Sequence, residues 1–436
     1  MSFAADLHLH SPYARGTSPA LSLQTLAAWA DIKGVDLLAC GDFTHPAWLA
    51  ELKRSLRPVD DDLFELATPP EPQDVRGRGR PARFVLGTEV SCVYTQDGRG
   101  RRLHLLILAP DFDAVDGICR AFAPHGSLAS DGRPMLRLSA RDVVEAVLSV
   151  DARCEVVPAH AWTPWYAIFG SKSGFDSLDD CFGDMAGHVH AIETGLSSDP
   201  EMNWRVPDLD DRTLVSFSDA HSAQRLGREL TVFAGEPGYG ALVEALRADS
   251  VEWTAEFDPQ EGKYHHDGHR KCGVNLPPDA HDGRCPACGR KLTLGVLNRV
   301  QSLAGRPPEP LAADADGVLR GTESERPPFR RLVPLAEIVA EALGYGLASK
   351  AVQRVCRDLA ARVGTELHVL TAAEASEIER AAGERVAEGV MRARLGRVRV
   401  RPGFDGEYGV VRLWDDDTGT LTGGQGATEH HAAEDN

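Results

Sequence analysis

Between Ala5 and about Phe257, short apolar runs alternate with segments whose apolar residues recur at helical spacing. ADLHLH is followed by LQTLAAWADIKG, VDLLACGDF, FVLGTEVSCVY and RRLHLLILAP, and CEVVPAHAW, HVHAIETG and TLVSFSDAHS later repeat the strand form. Such alternation predicts an α/β fold of successive strand and helix units. The largely apolar run Val35–Ala39 predicts strands buried on both faces, as in a parallel sheet. Each predicted strand ends in His, Asp or Glu, which favours a barrel with polar groups gathered at its carboxyl face over an open sheet. The Gly- and Arg-rich stretch DVRGRGRPARF is expected to form a loop between two units.

After residue 257 the pattern changes. In EGKYHHDGHRKCGVNLPPDAHDGRCPACGRKLTLG helical periodicity vanishes, turn residues dominate, and Cys and His concentrate, so 258–296 is expected to be a small metal-stapled module. PLAEIVAEALG, SKAVQRVCRDLAARVG and EASEIERAAGERVAEGVMRARLG restore helical spacing, predicting a mainly helical region over 297–414. Its end, VRVRPGFDGEYGVVRLW, predicts a β-hairpin turning at Asp405 and Gly406. The acidic, Gly-rich stretch 415–436 is expected to be a disordered tail.

The 436 residues, 42% of them hydrophobic, suffice for one large enzymatic unit and smaller ones. No run of eighteen apolar residues occurs and MSFAADLHLH lacks the features of a secretory signal, so a cytoplasmic protein with no membrane partner is expected. Its nine Cys then suggest buried thiols such as Cys40 and Cys119, together with metal binding where Cys272, Cys285 and Cys288 cluster. A formal charge of −18 argues against a nucleic-acid coat protein. It does not exclude a nuclease, because cations bound at acidic sites reverse the local sign.

Asp6-Leu7-His8-Leu9-His10 alternates polar groups with leucine, which places all three polar side chains on one face of a strand. Further strand ends carry Asp42, His45, Glu89, His104, His160, Asp219 and His221. Nine imidazoles and carboxylates exceed the needs of one cation. They suit two or three divalent ions, zinc, manganese, magnesium or iron, held close together for phosphoryl chemistry. Asp6 and Glu193 are candidates to orient the imidazoles from behind.

In order and spacing these nine residues resemble the PHP (polymerase and histidinol phosphatase) superfamily over 1–257, which implies a distorted (β/α)7 barrel with a trinuclear site. The family's first motif falls on His8 and His10, its second on Asp42 and His45, and its Glu on Glu89. The remaining ligands map to His104, His160, Asp219 and His221. The family has adjacent Asp-His in its second motif, whereas this chain has Asp42-Phe43-Thr44-His45. CGDFTHP, GTEVSC, PAHAWTPWYAIFGSKSGFDSLDDCF, AIETGLSSDPEMNW and SFSDAHS, with the later Cys/His module, also resemble the endonuclease Q family. That resemblance implies a DNA repair endonuclease cutting 5′ of uracil, hypoxanthine, xanthine or an abasic site by metal-activated water, leaving 3′-hydroxyl and 5′-phosphate ends. Damaged DNA is the expected partner, and the sequence leaves open recruitment by a sliding clamp or another repair factor. The alternative is a small-molecule phosphomonoesterase of the histidinol-phosphatase type, which has no evident use for so much additional chain.

His269 and Cys272 with Cys285 and Cys288 form two knuckles suited to a closed tetrahedral zinc-ribbon-like site, with His265 or His266 as alternatives to His269. A lesion-specific enzyme must also hold an extruded base. Trp162, Trp165, Tyr166 and Phe169, which follow His160, are candidate pocket walls. Gly170 and Ser171 are candidates for backbone contacts and Lys172 for a phosphate contact. Packing of a loop is the competing role for the aromatics.

Overall fold

A computed structural model of the chain describes residues 2–77 and 81–414. The expected acidic tail, 415–436, lies outside the described residues, as does the centre of the DVRGRGRPARF stretch.

The chain builds a mixed α/β structure around a 13-stranded sheet. At its centre Ser2–Asp6 pairs in parallel with Leu37–Ala39, which pairs in parallel with the start of Arg83–Gln96. On the other side Ser2–Asp6 is antiparallel to Leu230–Ala234, which is antiparallel to Val251–Glu256. Arg99–Ala109 runs back along Arg83–Gln96 and also pairs antiparallel with Glu155–Pro158. Ala191–Glu193 and Thr213–Val215 form a separate parallel pair. A backbone bond from Ala161 N to Glu193 O links that pair to the segment after Glu155–Pro158.

The parallel sheet expected from the apolar runs is thus corrected to a mixed one. Part of the reason is local: Asp97 (φ 52°) and Gly98 (φ 73°) make a two-residue turn that sends the chain straight back as a hairpin. Side chains alternate between two cores across the sheet. Phe3, Ala5, Leu37, Ala39 and Val85 belong to one. Ala4, Leu38, Phe84 and Leu86 belong to the other, which extends into the C-terminal helices. Helices Leu23–Lys33, Phe112–Phe122 and Ala140–Val150 start at side-chain caps from Ser22, Asp111 and Ser139.

Beyond 297 the structure has the expected helices, Leu335–Leu343, Lys350–Arg362, Ala375–Ala382 and Glu384–Arg394 among them. The hairpin Arg399–Arg401 with Val410–Arg412 follows. The sequence reading missed three short strands: Leu311–Ala313, Leu319–Gly321 and Phe329–Arg331 extend the main sheet through Val251–Glu256. Lys33 Nζ lies 2.9 Å from Glu366 Oε1, fastening the C-terminal helices to the first helix. Among the described residues, no helix is long and apolar enough to cross a membrane.

Candidate metal centre

His8 and His10 follow the end of the first strand and are fully buried, while Leu7 and Leu9 between them pack into the two cores, one into each. The neighbouring segment turns sharply at Gly41 (φ 67°), where a Cβ would stand 2.5 Å from Leu9 O. Asp42, His160 and Asp219, each just beyond a strand, all adopt left-handed backbone, with φ of 46°, 30° and 47°. Non-glycine residues hold that conformation only where surrounding structure enforces it. Here it turns three polar side chains back toward the strand ends.

Six of the expected ligands gather as two triads, His8–His10–Asp219 and Glu89–His104–His160, with donor atoms in each within 4.8 Å of one another. Glu89 stands between them. Its Oε2 faces His8 Nε2 at 3.6 Å and His10 Nε2 at 3.5 Å, while its Oε1 faces His104 Nδ1 at 2.7 Å and His160 Nε2 at 3.2 Å. Asp219 Oδ1 closes the first triad at 3.0 Å from His10 Nε2.

The remaining three expected ligands sit outside the triads. Asp42 lies behind His10, taking Nδ1 at 3.0 Å and the Ser11 amide at 2.6 Å. His221 packs its ring on His10 at 4.5 Å and directs Nδ1 to Asp219 O. His45, carried two residues beyond the family spacing, stands just before helix Pro46–Ser55 and stacks on Tyr13 at 4.2 Å. Of the two orienting candidates, Glu193 meets His8 Nδ1. Asp6 instead holds Ser218 and the Gly227 amide, fixing the loop that carries Asp219.

Electrostatics fit a cation-binding cluster. Burial works to lower the His10 imidazole, but Asp42 and Asp219 outweigh it and raise it to about 9. Burial likewise opposes His8, and Glu193, Asp219 and Glu89 hold it well above its ordinary value. Burial opposes the ionised carboxylates too, yet His104, Arg133 and His8 keep Glu89 well below the usual range, and His8, His221 and His10 do the same for Asp219. Protons thus balance the buried carboxylates, a task that divalent ions could take over. His8 Nε2 is buried, aimed into the cluster and has no hydrogen-bond partner. Imidazole and carboxylate donors of this kind fit zinc, manganese or iron.

Sequence reasoning missed Arg133, whose guanidinium donates to Glu89 Oε2 at 3.0 Å. It lies in the polar stretch GSLASDGRP, where neither periodicity nor motif marks it.

The second cluster joins His269, Cys272, Cys285 and Cys288, whose donor atoms also lie within 4.8 Å of one another. Asp267–His269 and Val274–Leu276 form its hairpin. Gly273 (φ 62°) and Gly289 (φ 71°) turn the two knuckles. His266 directs Nδ1 to Asn275, and His265 is buried elsewhere, so His269 is the histidine that joins the thiols. Buried Asp267 accepts from His281, the Gly295 amide and Asn298, which ties both ends of the module together.

The loop after His160 divides the expected base-contact residues. Trp162 (1% exposed) and Phe169 (0%) pack in the core, with Trp162 Nε1 on Asn203 Oδ1 at 2.8 Å, so the expected pocket role is corrected to packing for these two. Trp165 is 40% exposed and edges against Tyr264, and Tyr166 tilts over His104 at 4.7 Å. Gly170 has no room for a Cβ beside Thr163 O, Ser171 is half-buried, and Lys172 is exposed.

Two histidine–carboxylate triads thus lie near strand ends of a mixed α/β fold. In its fold the chain closely resembles endonuclease Q. It superposes on the lesion-specific endonuclease PfuEndoQ of Pyrococcus furiosus with a TM-score of 0.80 and 29% identity, over 94% of this chain and 95% of that one. The likeness to endonuclease Q in complex with a 27-mer duplex bearing an abasic lesion is equal, 0.80 and 29%, over 95% and 97%. MJ0043 of Methanocaldococcus jannaschii is 32% identical over 263 residues, 58% of this chain but only 31% of its own length. YqxK of Bacillus subtilis is 24% identical over 427 residues, 94% of this chain and 98% of that protein. Residues 334–397 match the family described as the MJ0043 C-terminal domain.

Proposed function

We propose that the protein is a metal-dependent DNA repair endonuclease that hydrolyses the phosphodiester 5′ of deaminated bases and abasic sites, leaving 3′-hydroxyl and 5′-phosphate ends. The observation that carries this reading is Glu89, which presents one oxygen to each triad in a chain that follows the endonuclease Q fold almost throughout. On this reading 1–257 is a distorted PHP barrel, 258–296 a zinc module and 297–414 a C-terminal region. Damaged DNA, the expected partner, has a counterpart in the abasic duplex bound by endonuclease Q.

Divalent cations held by the two triads would neutralise phosphate charge and supply a nucleophile at neutral pH. The chain's own contribution is placement. Glu193 fixes the His8 tautomer so that Nε2 faces inward, and Asp42 does the same for His10. Asp6 anchors the Asp219 loop to the first strand. Tyr166 borders the cluster at His104, and exposed Trp165 beside it in the chain would help hold an extruded nucleotide.

The test is a denaturing gel of end-labelled duplexes carrying one uracil, hypoxanthine, xanthine or abasic site, or none, with manganese or magnesium. A single cut 5′ of the lesion, absent from intact DNA and from His8→Ala, is expected. Intact lesion DNA alongside rapid hydrolysis of a chromogenic phosphate monoester would instead identify a phosphomonoesterase.

A further inference from the structure

Arg133 occupies a position that metal ligation does not explain. It lies in the loop between the turn Ala123–His125 and the short strand Met135–Leu136. That loop is fastened on three sides: Gly132 N donates to Tyr13 O at 3.0 Å, Ser91 N to Pro134 O at 3.0 Å, and Arg137 N to His125 O at 2.9 Å. A Cβ on Gly132 would stand 2.4 Å from Asp42 Oδ2, so the backbone passes against the carboxylate that backs His10. The Arg133 side chain is 22% exposed and reaches Glu89 Oε2, the oxygen that also faces His8 and His10.

A guanidinium cannot ligate a cation, and its own positive charge opposes cations held a few ångströms away. Its place beside the carboxylate shared by both triads suits an arrangement that an anion completes. The planar fork matches two oxygens of a phosphate, and the partly exposed side chain leaves a solvent-facing approach for one. We propose that Arg133 is a catalytic residue that grips non-bridging oxygens of the scissile phosphate, turning from Glu89 toward the substrate when the triads hold metal. The inference rests on the phosphodiesterase reading above for its substrate, but its core claim is that the site binds phosphate through Arg133.

Arg133→Gln and Arg133→Lys, each checked for an unchanged melting curve, separate this role from a structural one. Three quantities are measured: bound metal by elemental analysis, affinity of the manganese-loaded protein for inorganic phosphate by calorimetry, and kcat and KM on abasic duplex. The expectation for Arg133→Gln is full metal content, phosphate affinity reduced about tenfold or more, and kcat reduced roughly a hundredfold. Arg133→Lys should recover part of both losses, because it keeps the charge without the fork. Unchanged phosphate affinity in Arg133→Gln overturns the proposal. So does a loss of metal that excess manganese restores together with activity, since Arg133 would then only support Glu89. If the unaltered protein cuts no lesion DNA, the endonuclease reading fails while the phosphate calorimetry still decides the role of Arg133.

Discussion

Glu193 accepts from His8 Nδ1 with both carboxylate oxygens, at 2.9 and 3.0 Å, and its Oε2 also takes the His160 backbone amide at 2.7 Å. One buried carboxylate therefore fixes a member of each triad. Glu193→Gln keeps the shape but removes the charge that fixes the imidazole. Manganese affinity is expected to fall roughly 10- to 100-fold, as for other carboxylates behind metal-binding histidines. Calorimetric titration of the metal-free variant measures this, and affinity within threefold of the unaltered protein would show that Glu193 serves only the backbone.

Metal binding should also depend on pH in a defined direction. In the metal-free protein His10 is raised from 6.5 to about 9, because Asp42 and Asp219 outweigh the opposing effect of burial. The stabilisation from its protonated form is fully present below pH 6.5 and is lost as pH rises through about 9. Binding a cation must expel that proton. Apparent manganese affinity should therefore climb between these limits by about tenfold per pH unit for each proton released. Calorimetry in two buffers of different ionisation enthalpy counts the protons, and a pH-independent affinity would rule out His10 as a ligand.

His8 and His10 were legible because they alternate with leucine just past the end of the first strand, and the structure brings them into one triad. Glu193 was legible as a carboxylate at another strand end, although its partner was not. His45 stands outside the two triads: its two-residue shift in spacing sets it at the start of helix Pro46–Ser55, with its ring on Tyr13. The hairpin at Asp97-Gly98 was written plainly in its turn residues. It was overlooked because apolar runs on both sides also suit buried parallel strands. Leu311–Ala313, Leu319–Gly321 and Phe329–Arg331 carry almost no alternation, since a three-residue strand is defined by the sheet edge it joins. Arg133 was illegible for a related reason: a loop residue acquires its role from what the loop crosses.

The Cys/His cluster makes a separate prediction. Cys285 is buried at the centre of its knuckle, with its amide on Arg290 O and its carbonyl accepting from Gly289 N. Cys285→Ala should remove one tightly held zinc per chain and leave metal at the triads unchanged, because a closed four-ligand site tolerates no missing member. Elemental analysis before and after mild chelation distinguishes the two pools. An unchanged zinc content would show that the cluster is a set of free thiols.

Arg299, in helix Val296–Leu303 just after this module, holds the loop that follows His160. Its Nε donates to Phe169 O at 2.9 Å and a terminal nitrogen to Phe175 O at 2.8 Å, from a side chain only 17% exposed. Arg299→Ala leaves both carbonyls without these donors, at a cost of about 1–3 kcal/mol each where they stay dry. The loop carrying Trp165 and Tyr166 should loosen. KM for abasic duplex is then expected to rise more than kcat falls, with triad metal content unchanged. Equal loss of kcat with KM constant would place the effect in the chemistry instead.

The last prediction concerns a buried carboxylate at the end of strand Val251–Glu256. Burial raises Glu256 from 4.5 to about 8, and its Oε2 accepts from Thr194 Oγ1 at 2.9 Å. Neighbouring Glu229 is raised in the same sense, first by its own burial and then by Glu256. A folded-state value above the unfolded one means that the folded chain holds the proton more tightly. The resulting stability is complete below about pH 4.5 and is lost as pH rises through about 8, at a slope on the order of 1 kcal/mol per pH unit while the two states differ by one proton. Glu256→Gln supplies a permanently neutral group of similar shape. It should flatten the decline in urea-unfolding free energy between pH 5 and 8 and make the variant the more stable protein at the alkaline end. Parallel curves for the two proteins over that range would show that Glu256 is ionised throughout, and that its charge is met inside the fold.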